Sequence, residues 1–249
     1  MRLRIISCEV FTRELCDAAA RSAHQVDLAF LPKGLHDIGC TGMLARLQAA
    51  VDAADPSQYD ALLLGYGLCN NGIAGLVARS LPLIVPRAHD CMTLFFGSRE
   101  RYEEYFRANP GTYFLTTGWI ERGEATGDLR QLSIQHANGM DLTYAELVEK
   151  YGEDNAQFLY DQLCDQTKHY RRLTFIEMGL EPDGSFLEKA RKRAEEKGLE
   201  FGTERGNLRL IHALVNGPWD EHEFLTVRPG ERIATDFGGD LIRAERADP

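Results

Sequence analysis

Residues 61–97, ALLLGYGLCNNGIAGLVARSLPLIVPRAHDCMTLFFG, twice carry a short aliphatic run into a turn marked by glycine or proline. Leu62, Leu63 and Leu64 close on Gly65 and Gly67, and Leu83, Ile84 and Val85 close on Pro86. Unbroken apolar runs this short, bounded by turn residues, predict buried strands. The spacing predicts a helix from Ile73 to Arg79 between them. Cys69 sits in the first turn, and Arg87, His89, Asp90 and Cys91 follow the second strand. Two cysteines and a histidine therefore fall just past the carboxyl ends of successive strands, where open α/β sheets bind ligands.

The same grammar precedes this stretch. Residues 2–7 and 26–30 read as strands, and residues 12–22 as a helix. Met43, Leu44, Leu47, Ala50 and Val51 recur at helical spacing. The expected fold is α/β, a Rossmann-like, mainly parallel sheet with helices on both faces. Strands near 2–7, 26–30, 61–65 and 83–85 should be adjacent. Beyond Gly97 come a charged amphipathic helix and a short strand at 113–115. Residues 117–140, rich in glycine and charge, read as a loop. Helices follow near 142–151 and 155–170, then a strand at 173–176, a helix at 183–198 and a strand at 199–201. Asn207 caps a helix running to Val215, and the tail carries Phe224–Val227 and a turn at Arg228–Gly230. This repetition suggests two interlocked halves, 1–118 and 119–249, or one domain.

A net charge of −10 argues against nucleic acid as the partner, because phosphate binding needs clustered lysine and arginine. The densest basic run, KARKRAEEK at 189–197, is interrupted by acids and reads as a solvated helix face. No stretch approaches the roughly 20 apolar residues that span a bilayer. The amino-terminal MRLRIISCEV reads as a first strand and lacks a signal-peptide cleavage site. The expected location is cytoplasmic, where six cysteines are reduced, metal-bound or catalytic more often than disulfide-bonded.

The predicted strands place their followers on one edge. The first delivers Cys8 and Glu9, the second His36, Asp37 and Cys40, the third Cys69, the fourth His89, Asp90 and Cys91. Cys16 and Cys164 fall inside predicted helices, as small buried hydrophobes. Cys8, Cys69 and Cys91, with His89 or His36 as fourth ligand, form a candidate metal site for zinc or an iron–sulfur cluster. Reduced structural thiols are the alternative, since no CxxC pair is present. Cys69 and Cys91 are each expected to open a helix, whose dipole would favour a thiolate. Arg87 is placed to balance negative charge, and His36, His89 and Glu177 are candidate acid–base groups. A free Cys–His nucleophile pair, Cys91 with His36 or His89, is a further option. GYGLCNNG has neither the spacing of a dinucleotide fingerprint nor that of a phosphate loop.

The motifs GYGLCNNG (65–72) and PRAHDC (86–91), with SCEV (7–10) and VRPGERI (227–233), resemble the domain-of-unknown-function family 1638 over most of the chain. The resemblance carries no assigned activity. Members are similar to proteins found near corrinoid-dependent methyl-transfer systems, which implies a corrinoid protein as partner and one-carbon metabolism as context. One cysteine per strand end also looks like enzymes that hold a [4Fe–4S] cluster by three cysteines, a likeness of fold plan only. The expected function is therefore a metal–thiolate transferase or lyase acting on a small molecule. A non-catalytic carrier of metal, cluster or corrinoid is the alternative.

Overall fold

The computed structural model describes residues 1–123, 128–138, 140–161, 169–236 and 238–247. Cys164 lies outside them. The chain begins β1 (Arg2–Cys8), α1 (Thr12–Ala20), β2 (Gln25–Leu31), α2 (Gly39–Asp52), β3 (Ala61–Gly65), β4 (Leu83–Pro86) and α3 (Cys91–Phe96). It continues with α4 (Arg99–Ala108), β5 (Thr112–Leu115), α5 (Thr117–Glu121), α6 (Asp128–Leu132), α7 (Ile134–Ala137), α8 (Tyr144–Tyr151) and α9 (Glu153–Leu159). Then come β6 (Arg172–Glu177), α10 (Ser185–Glu196), β7 (Glu200–Arg205), α11 (Arg209–Asn216), β8 (Phe224–Val227), β9 (Glu231–Asp236) and β10 (Leu241–Arg246).

The main sheet has the order β2-β1-β3-β4-β8. The first four strands are parallel, with Ser7 opposite Gly65 and Leu62 opposite Leu83. β8 adds antiparallel to β4. Every residue of β3 and β4 is buried, which requires cover on both faces and explains their unbroken apolar runs. A second parallel sheet, β5-β6-β7, has its own small core of Leu115, Leu173, Phe175, Phe186, Ala190 and Ala194. β9 and β10 form a hairpin. Among the described residues no helix is long and apolar enough to cross a membrane.

Two local expectations are corrected. The segment 73–79 is not helical. Ile73 and Leu76 are buried, but the backbone around them pairs with β9: Gly75 N–H donates to Ile233 O (2.7 Å) and Ile233 N–H to Leu76 O (2.9 Å). Strand pairing over a long sequence separation here overrides an apolar spacing that imitates a helix. Cys69 accordingly opens no helix. The stretch 117–140, read as a loop, carries α5, α6 and α7 among its described residues.

The turn after β3 is unusual. Cys69, Asn70 and Asn71 are consecutive non-glycine residues with φ of 46°, 56° and 64°. Left-handed backbone costs a β-carbon-bearing residue about 1–2 kcal/mol, least for asparagine. Replacing the exposed Asn71 by valine should therefore lower stability by about 1–2 kcal/mol, while glycine there should be neutral or stabilising. Chemical denaturation of the two variants checks this; equal stabilities would remove the strain argument.

Candidate functional site

The carboxyl ends of β1, β3 and β4 are tied together by hydrogen bonds and close approaches. Ser7 Oγ donates to Gly65 O (3.0 Å), and a β-carbon on Gly65 would overlap Ser7. Beyond the sheet proper, the turn after β3 keeps pairing with the turn after β4. Leu68 N–H donates to Ala88 O (2.8 Å) and Cys69 N–H to His89 O (3.0 Å). Gly67 permits this approach, since a β-carbon there would lie 2.8 Å from Asp90 Cα. Cys91 then begins α3, capped by Asp90, whose Oδ1 accepts the Met92 N–H (2.9 Å).

Cys8, Cys69 and Cys91 are all buried and none is in a disulfide. Burial pushes the Cys8 and Cys69 thiols up to about 12 and raises the Cys91 thiol strongly. The thiols also act on one another. Negative charge on Cys8 would raise both Cys69 and Cys91, and charge on Cys69 would raise Cys91. The backbone N–H groups of Gly67 and Cys91 partly offset the rise at Cys69. The helix start expected to produce a thiolate at Cys91 does not do so, because α3 is short and burial is the larger effect.

Two buried polar atoms beside the thiols have no hydrogen-bond partner, Tyr66 Oη and Trp119 Nε1. Tyr66 is close enough to Cys8 and Cys69 for their charges to raise its hydroxyl, beyond the larger effect of burial. Trp119 Nε1 approaches Cys91 without completing a hydrogen bond and lowers its thiol slightly. Buried donors are normally paired, and these two lie beside the thiols. Trp119 reaches this place because Gly118 lets α5 lie against the backbone of the 3-10 turn Glu9–Phe11.

In front of Cys69 and Cys91, but not lined by Cys8, is a cavity of about 500 Å³ whose wall includes Asp90, His36, His89 and Trp119. His36 is half-buried in the turn after β2, and burial lowers its imidazole against an opposing pull from Asp90. His89 is at the mouth: its side chain is 71% exposed, with Nδ1 3.4 Å from Asp90 Oδ2. Among the described residues, no three or more His, Cys, Asp and Glu side chains form a group that could hold a metal ion as they stand.

Other sequence candidates lie elsewhere. Arg87 does not face the thiols. Its guanidinium donates to the backbone carbonyls of Glu221 (2.8 Å), Asp240 (3.0 Å) and Ile242, fastening β10 and the approach to β8. Those acceptors are far away in sequence, so position in the motif gave no hint of them. Glu177 ends β6, is exposed, and is not part of the cavity lining. Cys40 lies exposed in α2 and Cys16 exposed in α1. Tyr66 and the aromatic wall were missed. Tyr66 stood between two glycines of the central motif, and Tyr102 and Phe106, four apart on α4, share one helix face.

A family model described as "Protein of unknown function (DUF1638)" matches residues 30–215, a stretch that contains Cys69 and Cys91 and begins after Cys8. No curated protein and no solved structure matches the chain.

Proposed function

The chain belongs to the DUF1638 family, described as of unknown function, and from its site alone we propose a thiolate-dependent metalloprotein that acts on a small molecule. Cys8, Cys69 and Cys91 would hold one soft metal centre, a zinc ion or an iron–sulfur cluster, behind the cavity that Cys69 and Cys91 line. The observation that carries this reading is that Cys8 ends β1 while Cys69 and Cys91 follow the adjacent strands β3 and β4, all three buried, reduced and near enough for charge on Cys8 to raise the other two. His36 or His89 would be the fourth ligand if the fourth position is filled by the protein. The alternative of a free Cys–His nucleophile is weakened by the raised thiols, which stay neutral near pH 7 and attack poorly. A cation is what ionises thiols so placed.

If Cys8, Cys69 and Cys91 were the only protein ligands, the site would leave a zinc ion an open position for Lewis-acid activation of a thiol or methyl group, or a cluster one free iron. Transfer or lyase chemistry, with a corrinoid protein as partner, belongs to that branch. A closed fourth position would make the protein a carrier. A cytoplasmic location belongs to the same reading, since the thiols have to stay reduced.

Anaerobic purification followed by elemental analysis and a visible spectrum tests the proposal. One zinc or one cluster per chain is expected, falling sharply in Cys8→Ser, Cys69→Ser or Cys91→Ser and unchanged in Cys16→Ser and Cys40→Ser. His36→Ala and His89→Ala identify the fourth ligand by which of them loses the ion. Each bound thiol gives up a proton, so affinity should fall as pH drops. A triple Cys→Ser protein with undiminished metal would sink the reading.

A further inference from the structure

The cavity wall has a chemistry that the thiols do not use. Tyr102, Phe106, Tyr113, Phe114, Trp119 and Tyr170 line it. Ring centroids of Tyr102 lie 6.1 Å from Phe106 and 6.0 Å from Phe114, and Tyr113 lies 5.3 Å from Tyr170. Among the described lining residues Asp90 is the sole carboxylate, and no lysine or arginine is present. Asp90 is fixed against the aromatic wall: Tyr102 Oη donates to its Oδ2 (3.0 Å) while its Oδ1 caps α3.

This combination selects by charge and by hydrogen-bonding capacity. An anion would face the Asp90 carboxylate with no lysine or arginine among the described lining residues, only the imidazoles of His36 and His89. A neutral apolar ligand would strip water from the carboxylate and leave its charge unpaired. A primary ammonium has three N–H groups to satisfy, and the two Asp90 oxygens, each already accepting one bond, are the only carboxylate acceptors among the described lining residues. A methylated ammonium has few or no N–H groups, and aromatic faces attract it. The Trp119 ring already attracts a cation, the primary ammonium of Lys33, whose Nζ lies 4.9 Å from its centroid outside the lining.

We infer that the cavity binds a small organic cation with a methylated ammonium centre, the aromatic wall packing its methyl groups and Asp90 balancing its charge. This deepens the proposed function, resting on the cavity being the functional site but not on a metal being bound. Three thiolates on a dication would leave a net negative charge, which would reinforce the same preference.

Titration calorimetry with choline and with neohexanol, its uncharged tert-butyl isostere, tests the inference. Choline should bind at least about tenfold more tightly than neohexanol. Asp90→Asn, which keeps the Oδ1 acceptor of the α3 cap, should lose about tenfold or more for choline and little for neohexanol. Phe106→Ala, at a position 49% exposed and so of little risk to folding, should weaken choline about threefold. Equal binding of choline and its isostere, choline affinity unchanged in Asp90→Asn, or no choline binding by a folded protein would overturn it. Metal content measured on the same samples separates the two readings. Choline binding without metal removes the metalloprotein proposal alone, and metal without choline binding removes this inference alone.

Discussion

Replacing Gly118 by alanine should destabilise the protein by about 3 kcal/mol or more and lower Tm by roughly 6–12 °C. A β-carbon there would fall on the Val10 carbonyl oxygen, with the carbonyl carbon at 2.7 Å and Val10 Cα at 3.1 Å. Both partners are backbone in short, buried elements, so neither can turn aside as a flexible side chain would. The strain would be relieved only by moving α5 away from the Glu9–Phe11 turn, which displaces Trp119 from Cys91. Binding in the cavity should therefore fall with stability. Gly184→Ala is the control: φ is −74° and nothing lies within 4 Å of the added carbon, so a gain of about 0.4–1 kcal/mol is expected. Thermal or urea unfolding of both variants decides the matter. A Gly118→Ala protein as stable as the control would show that α5 is not held as described.

The second large effect belongs to Glu14 on α1. Its side chain is buried, Oε2 has no hydrogen-bond partner, and its carboxyl is raised from 4.5 to about 7. Burial is the largest cause. The charges of Glu181 and Glu121 add to it and that of Arg13 opposes it. Below pH 4.5 the carboxyl is neutral in folded and unfolded chains alike, and the fold bears no penalty. Between 4.5 and about 7 the unfolded chain releases its proton while the folded one keeps it, so stability falls as pH rises. Above 7 the loss levels off at about 3 kcal/mol. Glu14→Gln should remove this dependence, leaving stability unchanged near pH 4 and raising it by up to about 3 kcal/mol near pH 8. Urea midpoints for both proteins across pH 4–8 test it. A wild-type profile that matches the variant at every pH would show that Glu14 meets water or a partner.

The parallel strands were legible because burial on both faces demands uninterrupted aliphatic runs, and β3 and β4 are the plainest cases. Their turns were legible too, since Gly65, Gly67 and Pro86 mark where the runs end. What sequence could not show was any pairing set by distant partners. Ile73 and Leu76 have helical spacing, yet their segment is claimed by β9. Arg87 stands in the motif beside the cysteines, yet its guanidinium serves carbonyls more than 130 residues away. The cavity wall was hidden for the same reason. Trp119 lies in a stretch read as loop, and its place beside Cys91 depends on one glycine fitting against a backbone carbonyl. Periodicity reports which face is buried; it does not report what the face is buried against.

The continued pairing of Leu68 and Cys69 with Ala88 and His89 has a consequence for cooperativity. Most binding loops open independently of the scaffold that carries them, and their ligands leave at the rate of that opening. Here the two turns beneath the cavity are an extension of the central ladder, and they part only when the ladder does. An ion or ligand held between Cys69 and Cys91 would thus be coupled to the same cooperative unit as β3 and β4, and its binding energy would reach the sheet as stability.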